Sequence, residues 1–542
     1  MKNTFVNEYT FKKFLDAGKE AEFDSLFDSA VKNLQDRFNS KYPMYINGKQ
    51  VFSDQELVET SPIDRNIVIG IFPKATRQNA KDAIAAAKNA FKSWSLINYK
   101  KRAEIFEKAA QIFHEKKFEL AAILSYENAK SRYESIGEID EAIDFIKYYV
   151  NELRINKGFI RKTSSKTAKI EVEKGFQGAP EEAENVNISM KPYGVFGVIA
   201  PFNFPVSISV GMSVGALITG NTVIFKPSTD NMTILTALKI YEIFKESGVP
   251  DGVFNVVSGP GSEVGDELAM NPDVAGIAFT GSRAVGLNMI KRAYEQGMQK
   301  VFVVEMGGKN PAIVSKYCDI DIAVNGVANA AFGFAGQKCS ALSRLYVHES
   351  IKELFVSKLI DKLRTMKIGN PIKKDVFLGP LISEAAYRKF NDVVMSAKQT
   401  GRILYGGNLI NTGLNGRYVE PMLIEVSHSN DLVTNELFLP VLSIETFKDF
   451  ETAIDLANDT KYGLTAGLYS KNKKEIAQFS SQIQAGVVYI NRRISATTGA
   501  IVGLHTFVGW KGSGLTGKGT GSKHYLQQFM KEQSISITKQ QR

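Results

Sequence analysis

Cys339 is one of only two cysteines in this 542-residue chain, and it follows the run Phe332-Gly333-Phe334-Ala335-Gly336-Gln337-Lys338. A thiol behind a glycine-bearing turn is a candidate nucleophile, because glycines let backbone amides come close to whatever the sulfur holds. Lys338 beside it is expected to ease ionisation of the thiol. Glu305 opens Glu305-Met306-Gly307-Gly308-Lys309, where the glycines give the carboxylate room to move. Partial burial would tune it as a general base toward water. Asn203 sits in Pro201-Phe202-Asn203-Phe204-Pro205, whose prolines stiffen the backbone and aim the amide as an oxyanion donor. Each residue alone reads as readily as a buried thiol, a loop carboxylate or a turn residue. A nucleophile, an oxyanion donor and a base in one chain point to covalent carbonyl chemistry.

A second set of residues is suited to a nucleotide. Lys226-Pro227-Ser228 places an ammonium and a hydroxyl after a strand, and Gly259-Pro260-Gly261 follows the next. Phe279-Thr280-Gly281-Ser282-Arg283-Ala284-Val285-Gly286 is a glycine turn opening a helix, whose free amides and dipole suit a pyrophosphate. It is not the GxGxxG fingerprint, and taken alone it is weak. Glu436, two residues before Phe438, can accept ribose hydroxyls, and the ring can pack on a flat group.

The elements that must carry these residues follow from hydrophobic periodicity. The first 40 residues read as charged helix, followed by a short strand at Met44 to Gly48. A helical stretch runs from Gln78 to Tyr149, with Ala83, Ala86, Ala87 and Ala90 at helical spacing. Residues 161 to 193 alternate, as in Lys169 to Glu173, and predict an exposed two-stranded arm. Short apolar strands then alternate with helices: Val195 to Ala200, Thr222 to Phe225, Phe254 to Val257 and Gly276 to Phe279, with helices over Met232 to Glu246 and Glu263 to Met270. A second run of the same kind begins near Val301 and continues through Leu345, Ala466 and Val487. This alternation implies parallel sheets covered by helices, with ligands at the carboxyl ends of the strands.

Composition narrows the class. The chain is 44% hydrophobic and 23% charged, as in a globular protein of two or three domains. The net charge of +10 is spread out, and the densest cluster, Lys471 to Lys474, has no interleaved aromatics, so no nucleic-acid partner is expected. The five histidines show no ligand spacing, so no metal is expected. No apolar run reaches bilayer length, and the mixed charges of the N-terminus do not read as a targeting signal; a cytoplasmic site and no membrane association are expected.

Taken together and in order, the motifs around Asn203, Gly281, Glu305, Cys339 and Glu436 resemble the aldehyde dehydrogenase superfamily across roughly residues 40 to 535. The resemblance implies an α/β fold of two parallel-sheet domains plus a small β oligomerisation arm. Residues 1–160 and 194–305 would form the dinucleotide-binding domain and residues 306–490 the catalytic domain. Residues 161–193 and 491–542 would form the arm and a C-terminal segment, and a homodimer or larger homo-oligomer is expected. The implied roles are Cys339 nucleophile, Asn203 oxyanion donor and Glu305 deacylating base. Ile199, Pro201, Phe202, Lys226, Ser228, Gly261, Gly281, Ser282, Val285, Gly286, Glu436 and Phe438 would hold NAD or NADP.

The finer resemblance is to the 1-pyrroline-5-carboxylate dehydrogenase branch, on Gly336 to Ala341, the helix Glu141 to Tyr149 and Asn491-Arg492-Arg493. It implies oxidation of glutamate semialdehyde to glutamate, with Glu141, Phe204, Ser340, Ser513 and Gly514 at the substrate. The loop Gly512-Ser513-Gly514 would grip the carboxylate. Phe202 stands where that family commonly has tryptophan and Leu439 where it has glycine. Thr229 stands where a carboxylate often discriminates against NADP. The alternatives are oxidation of succinate or 2-oxoglutarate semialdehyde, or an inactive binding protein on the same scaffold.

Overall fold

The computed structural model describes residues 5–164, 184–230 and 233–538. Its centre is a pair of seven-stranded sheets. The first runs, in spatial order, Val301–Glu305, Val274–Thr280, Val195–Ile199, Thr222–Lys226, Phe254–Val256, Met44–Ile46 and Lys49–Val51. Its first five strands are parallel, and the last two add an antiparallel edge. Val301–Glu305 therefore closes the first sheet, pairing Thr280 with Glu305, and does not open the second run as its sequence suggested. Strand order reverses between Val195–Ile199 and Val274–Thr280, which creates a crevice at their carboxyl ends.

The second sheet is ordered Arg402–Tyr405, Met422–Glu425, Val441–Phe447, Leu342–His348, Asn310–Val314, Thr465–Tyr469 and Val487–Ile490. All its pairings are parallel except the Arg402–Tyr405 edge. Apolar side chains flank both faces of each sheet, the reason its strands read as continuous hydrophobic runs.

The helices form where capping and periodicity agree. Arg77–Trp94 starts at a capping box of Thr76 and Asn79 and buries Ala80, Ala83 and Ala87. Arg132–Ile155 is capped by Ser131, whose hydroxyl accepts from the Glu134 N–H, and packs on Tyr99–Glu115 and Ser207–Ile218. Burial of Ile139, Ile143 and Ile146 along it contributes about 1.5–3 kcal/mol apiece.

The arm has three strands among the described residues. Ile160–Ser164 and Glu184–Pro192 form the expected antiparallel pair, and Met530–Thr538 from the chain's end adds the third. The alternating stretch Lys169 to Glu173 lies outside the described residues, as does Met232 at the predicted start of the helix Ile234–Ser247. No helix among the described residues is long and apolar enough to cross a membrane.

Candidate active site

The nucleophile's turn is strained. Phe334 and Ala335 both have φ near +50°, at 53° and 52°, and Gly336 follows at 68°. Such geometry persists only where the surroundings over-determine it. Here a Cβ on Gly336 would meet the Leu439 carbonyl, so the turn and the Leu437–Leu439 segment are packed backbone to backbone. Asn310 clamps the next step: its Nδ2 donates to the carbonyls of Cys339 (2.8 Å) and Ala341 (2.9 Å), while its Oδ1 accepts from Thr465 N–H (3.0 Å).

Asn203 lies between Val195–Ile199 and the buried helix Ser207–Ile218. Glu138 Oε1 accepts from Val206 (2.8 Å) and Ser207 (3.2 Å) N–H at that helix start, which fixes the turn from below. Buried Asn203 donates through Nδ2 to the Gln337 carbonyl (3.1 Å), two residues ahead of the thiol. An amide nitrogen carries a second N–H, and it is the one available to an oxyanion.

Glu305 ends its strand against the loop that follows Trp510. Glu305 bridges to Gly514, and Met306 N–H donates to the Ser513 carbonyl (2.7 Å). Its Oε2 is buried without a hydrogen-bond partner among the described residues. Burial pushes its carboxyl well above the usual range, opposed by the Gly509 N–H. The two glycines after Met306 do something other than grant mobility. A Cβ on Gly307 would stand 2.5 Å from Glu436 Oε2, and one on Gly308 would strike the Cys339 carbonyl. They allow base, nucleophile and Glu436 to share one small volume.

Cys339, Glu305, Glu141, Phe204 and Ser340 line one cavity of about 360 Å³. The thiol is pushed up to about 12, first by burial, then by the charges of Glu436 and Glu305, against the N–H groups of Ser340 and Cys339 itself. Lys338 does not ease it: its Nζ pairs with Glu134 at 2.7 Å, which corrects the expected activation. Burial raises Glu141 to about 7, opposed by a hydrogen bond from Ser207, and it makes no ion pair among the described residues.

The loop Gly512-Ser513-Gly514 is not a wall of this cavity. Ser513 is buried with Oγ accepting from Gly463 N–H (3.1 Å), so it and Gly514 buttress Glu305 from behind. The cavity is lined instead by Thr498, Gly499, Ala500 and Ile501, which sequence reading passed over. Thr498 N–H donates to Ser495 Oγ and Ile501 N–H to His505 Nδ1, whereas the amides of Gly499 and Ala500 have no acceptor among the described residues. Arg492 holds the segment from outside, donating to the Thr498 (2.9 Å) and Gly499 (2.5 Å) carbonyls, and Thr497 Oγ1 donates to the Ser340 carbonyl (2.7 Å). The available signal was the Ser495 to Thr498 cluster before glycine, a turn composition.

On the nucleotide side, register places Ile199 level with Lys226 and with Phe279, at the strand ends of the reversal crevice. Lys226 is buried, and its single hydrogen bond among the described residues is to the Pro227 carbonyl (3.2 Å). Burial lowers it to about 8, opposed by Asp230. An ammonium so poor in acceptors fits ribose hydroxyls. Thr229 donates to the Gly259 carbonyl (3.1 Å), so position 229 brings no carboxylate to the lysine, and the nearby acid is Asp230. Pro201 and Ser228 are half-buried beside it, and Gly261 opens a one-turn helix with free space around its Cα. Gly281 follows Thr280 in chain, and Ser282 caps Arg283–Glu295. The cap uses part of the expected amide set: Val285 N–H donates to Ser282 Oγ (3.4 Å) and Gly286 N–H to the Ser282 carbonyl (3.0 Å). Glu436 Oε1 accepts from Gly308 N–H (2.8 Å), and Phe438, at φ 61°, meets Phe202 edge-on at 5.9 Å.

Known proteins are similar to this chain over nearly its whole length. A model of the aldehyde dehydrogenase family matches residues 51–535. 1-Pyrroline-5-carboxylate dehydrogenase 2 of Halalkalibacterium halodurans is 34% identical over 537 residues, covering 98% of this chain and 99% of the relative. The 1-pyrroline-5-carboxylate dehydrogenase of Bacillus licheniformis is 35% identical over 534 residues, covering 97% and 99%. Among solved structures, 1-pyrroline-5-carboxylate dehydrogenase from Thermus with bound NAD superposes with a TM-score of 0.89 at 34% identity, covering 99% of this chain and 100% of that one. The chain therefore belongs to the aldehyde dehydrogenase family.

Proposed function

We propose that the protein oxidises glutamate 5-semialdehyde, the hydrolysed form of 1-pyrroline-5-carboxylate, to glutamate with NAD, as a step of proline breakdown. The observation that carries this is one cavity lined both by a nucleophile and by two kinds of polar recognition. The Gly499 and Ala500 amides, unpaired among the described residues, suit a carboxylate with Ser340, and Glu141, a buried acid in no ion pair among the described residues, suits an ammonium. Succinate semialdehyde has no amino group to offer Glu141, so the glutamate derivative fits better. The names of the relatives agree.

In the proposed cycle Cys339 Sγ, once ionised, attacks the aldehyde carbon. Asn203 Nδ2–H and the Cys339 backbone N–H receive the oxyanion of the thiohemiacetal. Lys226 and Glu436 would hold the two riboses of NAD and the turn from Gly281 to Gly286 its pyrophosphate, and NAD would supply the hydride acceptor when bound. Loss of hydride leaves a thioester on Cys339. Glu305 takes a proton from water, which attacks the acyl carbon and releases glutamate and the thiol. The two-domain assignment, the subunit-joining role of the arm and a cytoplasmic site belong to the same reading. Thr229 in place of a carboxylate favours admission of NADP as well, against the charge of the neighbouring Asp230.

The test is NAD and NADP reduction across a panel of semialdehydes. Glutamate semialdehyde should exceed succinate semialdehyde in kcat/KM by at least tenfold. Equal values would refute the role of Glu141.

A further inference from the structure

The substrate chamber is walled on one side by the beginning of the chain. Glu8 and Tyr9 line the same cavity as Cys339, Glu305 and Ala500. They precede the helix Thr10–Asp16; Glu8 is buried, Tyr9 is 44% exposed, and the residues on either side of Tyr9 are tied down. Asn7 Nδ2 donates to Asp144 Oδ2 (2.9 Å) and to the Val502 carbonyl (3.0 Å), and Glu8 N–H donates to Asp144 Oδ1 (2.7 Å). Thr10 donates to Asp140 through both N–H and hydroxyl, each at 2.7 Å. The Glu8 carboxylate pairs with Lys147 (2.5 Å) and Lys13 (3.0 Å). Phe5 meets Tyr148 edge-on at 5.3 Å and packs so tightly on Gly503 that a Cβ there would come within 2.9 Å of its ring. A terminus without a task frays; this one makes bonds to two buried acids and to the far wall.

The anchors are those of the recognition end. Asp140 and Asp144 flank Glu141 on one helix, and Val502 continues the segment with the free Gly499 and Ala500 amides. Tyr9 lies close enough to feel both Asp144 and Arg492, the guanidinium that carries the Thr498 and Gly499 carbonyls. We infer that residues 7–9 are a built wall of the substrate site and that the Tyr9 ring limits the length of aldehyde accepted. With the aldehyde carbon fixed at Cys339 and the chain running toward Ala500, each added methylene brings the tail toward Tyr9. This rests on aldehydes binding in the cavity, and not on glutamate semialdehyde being the substrate.

The test uses the full-length protein with Tyr9→Ala and Tyr9→Phe, measuring kcat/KM for straight-chain aldehydes from propanal to octanal. A methylene in an apolar site changes selectivity by about tenfold or more. Tyr9→Ala should therefore raise the octanal-to-propanal ratio roughly tenfold, while Tyr9→Phe keeps the wild-type profile because the ring is the barrier. A ratio within twofold of wild type in Tyr9→Ala overturns the inference. Tyr9→Leu, which keeps an apolar plug, gives an intermediate ratio and serves if the alanine variant does not fold. Wild-type protein that oxidises simple aldehydes but not glutamate semialdehyde refutes the substrate assignment alone and leaves the length test standing.

Discussion

Replacing Asn203 by alanine separates catalysis from folding in this site. The side chain makes a 3.1 Å bond to the Gln337 carbonyl and presents its other N–H to the region of the thiol. Loss of one preorganised oxyanion donor costs roughly 2.7–4 kcal/mol, so kcat should fall about 10²- to 10³-fold. The structural share is smaller, because Gln337 is held independently. Its Oε1 accepts from Ile382 N–H (2.9 Å), its Nε2 donates to the Phe334 carbonyl (3.3 Å), and its own N–H donates to the same carbonyl (3.1 Å). The orphaned carbonyl costs about 1–3 kcal/mol of stability, a loss visible as a lower melting temperature. KM should move less than threefold, since the donor acts on a charge absent from the bound aldehyde. Alkylation of Cys339 by iodoacetamide should stay within twofold of wild type. Stopped-flow measurement of the first turnover shows whether hydride transfer carries the loss. A kcat within threefold of wild type, or a loss confined to KM, would refute the assignment.

Glu305→Gln should release about one reduced cofactor per site in a burst and then stall, because the thioester forms but water is not activated. Glu305 must be ionised to act, and burial raises its carboxyl, so the acid limb of steady-state kcat should lie well above the ordinary carboxylate range and vanish in the variant. Continued steady turnover without a burst would contradict its role. Gly308→Ala should lower kcat/KM about 10²-fold, since a Cβ there displaces the Cys339 carbonyl that Asn310 holds at 2.8 Å, and shifts near 1 Å carry that cost. Gly297→Ala, at φ 71° with nothing around it, is a control away from the site and should change stability alone; equal losses of kcat/KM in both variants would refute the contact with the Cys339 carbonyl as the cause.

The sheet strands were legible because both faces are buried and their sequences are uninterrupted apolar runs ending in turns. Thr222–Lys226 and Val274–Thr280 fall within a residue or two of the predicted spans. The ownership of Val301–Glu305 was not legible: its sequence suits either sheet, and its pairing with Val274–Thr280 is a tertiary fact. Gly307 and Gly308 were visible as glycines, but sequence suggested freedom of motion where the cause is close approach. The Gly499–Ile501 wall went unread because backbone N–H groups leave no trace in side-chain identity. The loop at Ser513 looked more suitable, with a hydroxyl between glycines, yet its hydroxyl serves Gly463 N–H. Lys338 misled for a similar reason, since the sequence shows a cation beside the thiol and hides the distant Glu134 that takes it.

The pairing of Lys338 with Glu134 also bears on how the thiol is controlled. Glu305 and Glu141 are among the acids that line the cavity of Cys339, and the two lysines that line it are paired, Lys338 with Glu134 and Lys130 with Glu138. Burial and the charges of Glu436 and Glu305 act on the sulfur with the same sign, each disfavouring the thiolate. The same dry surroundings that suppress ionisation make the second N–H of Asn203 a stronger donor once an oxyanion forms. Ionisation is therefore favoured by whatever brings positive charge to the Glu436 side, and the oxidised nicotinamide ring is cationic.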